Sequence, residues 1–269
     1  MKKVDFDYES KIWGNTDVRL SPKYLGALRL KYCLDALKSL KGAVLEIGCG
    51  AGGMSKAVKF YRPDLMLYGV DISKSAIQAA KNDSQGVEFR VGDAYAVPFK
   101  DKLFDAIILF DILEHVESPL LVLKEVRRLL KPNGILHAFI PCEGEPYTLH
   151  SISAKLGWRP KKMYAGHIQE FTEENIEMMY KKTGFEVVKK KWIGFLFDQM
   201  FDMVYFSLLA IRGRKADLSV EGFIDVHKGS FVSTIASYIK NIIAIILYIE
   251  SGLALSRKGF GLNITAKKI

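Results

Sequence analysis

A glycine-rich segment followed by a single aspartate is the part of this sequence best suited to bind a small molecule. The segment spans residues 46–53 (EIGCGAGG), and Asp71 ends the next apolar stretch. Glycines between a strand and a helix let the backbone approach a ligand closely, and the helix N-terminus offers free N–H groups. An aspartate at this distance can hold a ribose. The spacing therefore indicates a nucleotide-type cofactor, and nicotinamide dinucleotide enzymes share the glycine pattern.

Further side chains around this segment refine the expected pocket. Glu46 precedes the first glycine, and Asp93 follows a third apolar stretch in the sequence Val-Gly-Asp-Ala. The Asp93 carboxylate could accept a hydrogen bond from an adenine amino group, and Ile72 could pack on the adenine face. Simpler roles stay open, because Asp71 could cap the helix that begins near Ser73 and Asp93 could be a turn residue.

Three histidines are candidates for moving a proton. His115 follows Glu114 after the fourth apolar stretch, His150 follows the fifth, and His167 stands in the sequence Gly-His-Ile-Gln-Glu-Phe-Thr. Histidine titrates near neutral pH, so each could act as a general base. His115 could instead only orient its loop. Since the sequence has no His-Glu-x-x-His motif and no clustered cysteines, we predict no metal site.

These residues fall at the ends of alternating strands and helices. The alternation predicts a Rossmann-like, doubly wound α/β sheet with right-handed crossovers, and ligands bind such sheets at the carboxyl ends of the strands. A turn is predicted at 131–134. Strands are predicted at 43–47, 66–70, 87–91, 106–110, 135–140, 185–192 and 262–266, and helices at 23–40, from 54, at 74–82, 118–130 and 172–183.

Two apolar helices interrupt this alternation before the last strand. The stretches 195–211 and 231–255 are apolar almost all round, with Asp198 and Asp202 on one face of the first. Neither has the run of about 18 uninterrupted apolar residues expected of a membrane-spanning helix. We therefore predict one domain over 1–269, with an N-terminal arm and helix at 1–40 and an apolar helical insertion at 195–256.

Composition and charge bear on the cellular location of the protein and on the partners it contacts. The chain has 269 residues, a formal net charge of +9 and 49% hydrophobic residues, which favours an anionic or apolar contact surface. Its three cysteines have neither disulfide nor zinc spacing, and Cys49 fits the glycine turn as a small residue. The first residues lack the apolar run of a secretory signal. We expect a cytoplasmic protein, with peripheral contact at the inner face of the membrane as an open alternative.

The ordered motifs resemble those of the class I S-adenosylmethionine-dependent methyltransferases, especially the small-molecule group labelled methyltransferase type 11. The resemblance runs over residues 43–141 and includes VLEIGCGAG, YGVDIS, GDA with VPF, FDAII, LEHV and LLKPNG. It implies S-adenosylmethionine as the cofactor and a seven-stranded sheet that is mostly parallel, with an antiparallel last strand. The cofactor-binding residues are then Glu46, Gly48, Cys49, Gly50, Asp71, Ile72, Asp93, Ala94 and Asp111, with the glycines under the methionine, Asp71 on the ribose, Asp93 and Ala94 beside adenine, and Asp111 on the methionine side.

The resemblance also bears on the acceptor. His167, just before Phe-Thr-x-Glu, is similar to a family position near the acceptor pocket, so His167 and His115 are the candidate catalytic residues. Methyl transfer from a sulfonium is an in-line displacement to which the protein contributes mainly alignment. A base is needed if the acceptor is a hydroxyl or an acidic carbon, and less so for a neutral amine.

The leading functional hypothesis is methyl transfer to a small or lipophilic acceptor, such as a quinone, isoprenoid, lipid or secondary metabolite, near a membrane surface. The insertion would then be a lid, a membrane-contacting element or a homodimer contact. RNA methylation is a second hypothesis, supported only by charge, and a non-catalytic cofactor-binding interaction module is a third. Nucleic acid is the disfavoured partner, because the insertion is apolar and no RNA-binding appendage is recognisable.

Overall fold

Strands alternate with helices in the computed structural model, which describes residues 18–159, 161–162, 165–212, 230–253 and 258–269. The strands are β1 (Ala43–Ile47), β2 (Met66–Asp71), β3 (Val87–Val91), β4 (Phe104–Phe110), β5 (Leu130–Pro141), β6 (Phe185–Ile193) and β7 (Gly261–Lys268). The helices are α1 (Ala27–Ala36), α2 (Gly53–Tyr61), α3 (Lys74–Asn82), α4 (Pro119–Leu129), α5 (Leu149–Lys155), α6 (Glu173–Lys182), α7 (Leu196–Arg212) and α8 (Phe231–Leu253).

The seven strands form one sheet in the order β3-β2-β1-β4-β5-β7-β6. Strands β1 to β5 pair in parallel, while β7 lies between β5 and β6 and is antiparallel to both. The predicted α/β fold, with a mostly parallel seven-stranded sheet and an antiparallel last strand, is confirmed. The order reverses between β1 and β4, so the loops that leave these two strands flank a crevice at the carboxyl edge of the sheet.

Both faces of the sheet are buried, which explains why its central strands read as nearly continuous apolar runs. Neighbouring residues of β1 point to opposite faces, so Val44 packs with α1 residues such as Leu30 while Leu45 packs with Val122 and Val126 of α4. Apolar residues in both layers are therefore held in the core, and the polar residues of the crevice come from the strand ends.

The largest difference from the predicted boundaries lies at the start of β5. The turn predicted at 131–134 lies inside the strand as an irregularity, because the pairing passes from Phe104 opposite Leu130 to Ala106 opposite Ile135. Asn133 has a left-handed backbone there, with φ of 62°. Asn133 thus has the backbone of a turn residue, as expected. The chain nevertheless pairs with β4 on both sides of residues 131–134, so β4 and β5 are both longer than predicted.

Helices α7 and α8 lie between β6 and β7, where the insertion at 195–256 was expected; residues 213–229 and 254–257 of that range, and residues 1–17 of the N-terminal arm, lie outside the described residues. Contrary to the sequence expectation, Ser233–Leu253 is long and apolar enough, by length and composition alone, to cross a membrane. The expectation required an uninterrupted apolar run, whereas this stretch contains several polar residues but only two charged ones, Lys240 and Glu250.

Candidate functional site

The loop between β1 and α2 has a backbone that favours glycine. Gly48, Gly50 and Gly52 have φ angles of 76°, 51° and 79°, in the left-handed region that side chains disfavour. The Gly48 and Cys49 N–H groups donate to the Val70 carbonyl at the end of β2, at 2.7 and 3.0 Å. The loop is therefore fixed to the neighbouring strand, with backbone groups at the carboxyl edge of the sheet.

Asp71 ties this loop to the start of α3. Its carboxylate accepts from the Gly50 N–H at 2.8 Å and from the Ser73 N–H at 2.9 Å. Ser73, not Asp71, is the N-cap of α3, since its hydroxyl accepts from the Ala76 N–H at 3.1 Å. A carboxylate has about four acceptor positions, so Asp71 retains capacity for ligand hydroxyls.

Glu46 lies beneath the glycine loop, near the end of β1. Its side chain is buried, and the Ser55 hydroxyl of α2 donates to Oε2. Burial raises the pKa of Glu46 to about 8, and the Ser55 hydrogen bond offsets only part of this effect. At neutral pH the Glu46 carboxyl is therefore mainly protonated. Cys49, which is close to it in the chain, is a buried thiol, and burial raises its pKa above the ordinary value as well.

The expected adenine contacts directly follow β2 and β3, which lie on the same side of β1 in the sheet. Ile72, just after β2, is 54% exposed, which is high for a large apolar side chain and leaves it open to stacking. Asp93 is exposed after β3 and accepts from the Tyr95 N–H at 2.9 Å, as the turn interpretation expected; Ala94 beside it is half-buried. Their contact with adenine stays a prediction.

Asp111 directly follows β4 and forms an ion pair with a cation that the sequence analysis missed. Asp111 has φ of 53°, a strained conformation for a residue other than glycine. Arg29 of α1 forms an ion pair with it, and its guanidinium stacks on the Phe139 ring at 3.7 Å. Sequence alone did not separate Arg29 from Lys31, the other cation of α1, because only the fold brings Arg29 to Asp111.

The fold brings the two candidate catalytic histidines together. The rings of His115 and His167 meet edge to face, with centroids 4.8 Å apart, although 51 residues separate them in the chain. The Ile168 and Gln169 N–H groups donate to the Glu114 carbonyl at 2.9 and 3.1 Å, which fixes the His167 segment against the end of β4. His115 Nδ1 lies 3.3 Å from the Gly166 carbonyl.

The surroundings drive the two imidazoles toward different charge states. Burial lowers the pKa of His115 to about 4, and the neighbouring His167 adds to this effect. Burial also opposes the charged form of His167, but Glu143, with Oε1 3.1 Å from Nδ1, outweighs it and raises the pKa. At neutral pH, His115 is neutral and the His167–Glu143 pair favours the imidazolium.

Three groups could together hold a metal ion. The ligand atoms of Glu114, His115 and His167 lie within 4.8 Å of one another, and both Glu114 oxygens are buried without a hydrogen-bond donor among the described residues. Two imidazoles and a carboxylate are ligands that zinc accepts. We predicted no metal site from the spacing of residues along the chain. Such spacing does not reveal ligands that only the fold brings together.

A small surface pocket lies beside this cluster. His150, the third histidine named in the sequence analysis, also borders it. His137 lies elsewhere, buried in β5 with Nδ1 2.9 Å from the Thr265 hydroxyl. The sequence analysis did not identify the charged lining of this pocket, because its members come from separate loops. The lining comprises Glu143, His150, Ala154, Arg159, Lys161, Lys162, His167 and Glu170.

Comparison with known proteins is consistent across sequence and fold. Residues 45–138 match a family model described as a methyltransferase domain. The chain is 33% identical over 130 residues to a ubiquinone biosynthesis O-methyltransferase of Coxiella burnetii, covering 46% of this chain and 54% of that protein. It is 29% identical over 161 residues to a demethylmenaquinone methyltransferase of Thermotoga maritima, covering 54% of this chain and 70% of that protein. The first match thus spans about half the length of each protein.

Solved structures share the fold at low identity. Phosphoethanolamine N-methyltransferase 2 of Haemonchus contortus, in complex with S-adenosyl-L-methionine, superposes with a TM-score of 0.56 at 20% identity. The superposition covers 96% of this chain and 55% of that protein, so the likeness extends beyond residues 45–138 to nearly the whole fold.

Proposed function

We propose, on the premise that residues 45–138 are a methyltransferase domain in a class I methyltransferase fold, that this protein methylates a small lipophilic acceptor related to quinones, using S-adenosylmethionine. The family match confirms the methyltransferase resemblance read from the sequence. The observation that carries the choice of acceptor is that two relatives found by sequence are named for quinone methylation.

The residues of the crevice fit this cofactor. Gly48 has a φ of 76°, and a Cβ there would come within 1.9 Å of the Ile112 side chain, so a glycine suits this position and keeps the loop backbone uncovered by a side chain of its own. The Gly48–Gly50 backbone and Asp71 would hold the methionine and ribose, Asp93 the adenine, and Arg29 supplies a cation suited to the ligand carboxylate. When bound, the cofactor supplies a methyl group already activated on a sulfonium.

The two histidines would have different roles at the acceptor, one as the base and one as a hydrogen-bond donor. Burial lowers the pKa of His115, so its imidazole is neutral at pH 7. In the tautomer whose Nδ1–H faces the Gly166 carbonyl, Nε2 carries the lone pair that would accept a proton from an acceptor hydroxyl. His167, whose Nδ1 is held by Glu143, would donate a hydrogen bond to the same oxygen. This assignment narrows the two candidate bases to His115 and favours a hydroxyl as the group methylated.

We further propose that the insertion carries the protein to a membrane surface, where lipophilic quinone precursors reside. Exposed apolar residues recur along one stripe of each insertion helix, and Ile211 and Leu253 expose 82% and 81% of their surface. Patches of this kind mark interaction surfaces, and the net charge of +9 favours an anionic one. The stripe of α7 comprises Leu196, Met200, Val204, Leu208 and Ile211, and that of α8 Ile235, Ile239, Ile242, Ile246, Ile249 and Leu253.

Transfer of a labelled methyl group from S-adenosylmethionine tests the proposed activity. The acceptors would be a phenol with a prenyl tail, the same phenol without the tail, and bulk RNA. We expect label in the prenylated phenol above all, and a loss of about 100-fold or more in kcat for His115→Gln. Labelling of RNA with none in either phenol would contradict the proposal.

A further inference from the structure

One buried carboxyl of the acceptor site has no hydrogen-bond partner for either of its oxygens. Glu114 is fully buried in the loop after β4, and neither Oε1 nor Oε2 has a donor among the described residues. The two other carboxyls that act on it electrostatically each have a cation: Asp111 pairs with Arg29. Glu143 pairs with Lys161. A buried carboxyl without a donor loses its hydration uncompensated, so Glu114 marks a place where a bound partner is expected.

Two histidine rings lie beside this carboxyl. His115 Nε2 is 4.0 Å from Glu114 Oε1, and ligand atoms of Glu114, His115 and His167 all lie within 4.8 Å of one another. Zinc binds nitrogen and oxygen ligands at about 2.0–2.2 Å in a tetrahedron, which places neighbouring ligand atoms about 3.4 Å apart. Closing these three groups onto an ion therefore takes movements of about 1 Å, which small side-chain rotations provide.

The fold also orients these groups. The Ile168 N–H donates to the Glu114 carbonyl at 2.9 Å, which joins the two chain segments that carry the three side chains. His115 Nδ1 lies 3.3 Å from the Gly166 carbonyl, and the tautomer that donates there has its lone pair on Nε2. Metal-binding histidines commonly hold their second nitrogen against a backbone carbonyl in this way, which fixes the ring for the ion. The cluster therefore has the supporting contact of a metal site as well as its ligands.

The ligand atoms select the type of ion. Two imidazoles and one carboxylate suit zinc and related transition metals, whereas magnesium and calcium prefer sites made of oxygen ligands. Glu114 and His167 are buried, while the His115 side chain is 21% exposed, so an ion can enter on the His115 side. Three protein ligands also leave one position of a tetrahedral ion open to water.

We propose that Glu114, His115 and His167 form a zinc-binding site, and that zinc bound there inhibits methyl transfer. The inhibition rests on the proposed function, in which the Nε2 lone pair of His115 takes the proton of an acceptor hydroxyl. An ion bound to Nε2 occupies that lone pair, so the base is lost, and it also takes the space in which the hydroxyl would meet the two rings. The metal-free protein is then the active form and the zinc-loaded protein the inactive one.

Cobalt absorption measures the site without substrate or cofactor. Co²⁺ accepts the same ligands as Zn²⁺ and absorbs visible light, which Zn²⁺ does not. In the full chain, stripped of metal with a chelator and held at about pH 8 so that the ligands are deprotonated, we expect one equivalent of Co²⁺ to develop a visible band. Zn²⁺ should abolish the band and excess Mg²⁺ should leave it in place. Absence of the band in wild type, or its displacement by Mg²⁺, would overturn the proposal.

Single substitutions assign the ligands. Glu114→Gln keeps the size of the side chain and removes its charge, and it should weaken Co²⁺ binding by about 100-fold or more. His115→Gln should have the same effect, and because His115 is part-exposed it keeps the test decisive if Glu114→Gln does not fold. The control is His150→Gln, which removes a histidine that borders the neighbouring pocket and lies 3.4 Å from Asp202. It should bind Co²⁺ like wild type; a loss there equal to that in the ligand variants, or unchanged binding in His115→Gln, would contradict the assignment.

Turnover separates this inference from the proposed function. Methyl transfer from S-adenosylmethionine to the prenylated phenol should fall by about 100-fold when Zn²⁺ fills the site, as expected for loss of the base, and excess chelator should restore it. Faster transfer with Zn²⁺ would overturn the inhibitory role, since the ion would then activate the hydroxyl. Absence of transfer by the metal-free protein, with Co²⁺ binding intact, would refute the proposed function and leave the metal site standing.

Discussion

Glu46 shows how a single buried carboxyl couples the site to pH. Its pKa is raised to about 8 by burial, whereas the same group in the unfolded chain titrates near 4.5. Between these values the folded protein retains a proton that the unfolded chain has lost. The contribution of Glu46 to stability is thus fully present below pH 4.5 and is lost as the pH rises through about 8.

Replacing Glu46 by glutamine should flatten the pH dependence of stability. The free energy of unfolding of wild type is expected to fall between pH 5.5 and 7.5 by about 1.4 kcal/mol per pH unit more than that of Glu46→Gln. Urea unfolding of both proteins at the two pH values measures the difference. Parallel pH dependence of the two proteins would show that Glu46 is ionised in the fold.

At the scale of single residues, the sequence predicted the site residues that belong to recognisable motifs. It did not predict those whose roles depend on contacts with distant segments of the chain. Glu46, Asp71 and the two histidines stand at fixed positions relative to strands, so spacing was enough to select them. Arg29 and Glu143 gain their partners, Asp111 and His167, only because the fold brings distant segments together, and nothing in their local sequence distinguishes them.

The element with the strictest steric demands is the turn between β1 and α2. Gly52 is the N-cap of α2 and has φ of 79°. A Cβ there would lie 2.4 Å from the Phe89 ring and 3.3 Å from the Ala80 side chain, both of which are buried. The glycine is required both by the backbone conformation and by the approach of β3 and α3.

Gly52→Ala should destabilise the protein by about 3 kcal/mol, from backbone strain and overpacking together. Gly157→Ala isolates the first cause, because Gly157 has φ of 85° but a Cβ there would meet no described atom within 4 Å. That control should lose only about 1 kcal/mol. Thermal and urea unfolding of the two variants checks this, and equal losses would contradict the steric argument.

The elements themselves were largely predictable. β1, β3 and α3 have the bounds that were expected, since apolar runs end at glycine, aspartate or serine there. Helix α5 was not predicted, because its short stretch after β5 has little apolar periodicity. The position of β7 between β5 and β6 was also absent from the prediction, because pairing order depends on contacts between distant parts of the chain.

At the scale of the whole molecule, the α/β core and the two insertion helices differ in where their apolar residues lie. The core buries its apolar residues on both faces of the sheet, whereas α7 and α8 expose theirs. The helices stay attached to the core, since Glu250 of α8 accepts from the Phe197 N–H at 2.7 Å and Gln199 of α7 accepts from the Leu149 N–H at 2.7 Å. The apolar face is therefore presented in a fixed relation to the acceptor site.

Polar substitutions in the α8 stripe should weaken binding to anionic vesicles. We expect Ile242→Ser/Ile249→Ser to bind phosphatidylglycerol vesicles about tenfold more weakly than wild type in flotation, because two exposed side chains no longer enter the lipid. Leu121→Ser/Met178→Ser makes the same change at exposed positions outside the insertion and should bind like wild type. The membrane proposal would be refuted if wild type formed a dimer that does not bind vesicles and if the Ile242→Ser/Ile249→Ser variant were a monomer. The apolar face would then be a subunit contact.

The central claim is that the crevice at the carboxyl edge of the sheet binds S-adenosylmethionine, and calorimetric titration tests it most directly. Wild type should bind one equivalent of S-adenosylmethionine and one of its demethylated product, and Asp71→Ala should bind at least about tenfold more weakly because the ribose loses its carboxylate partner. NADH should give no heat. Absence of binding for both methionine-derived ligands, or binding of NADH in their place, would contradict the account.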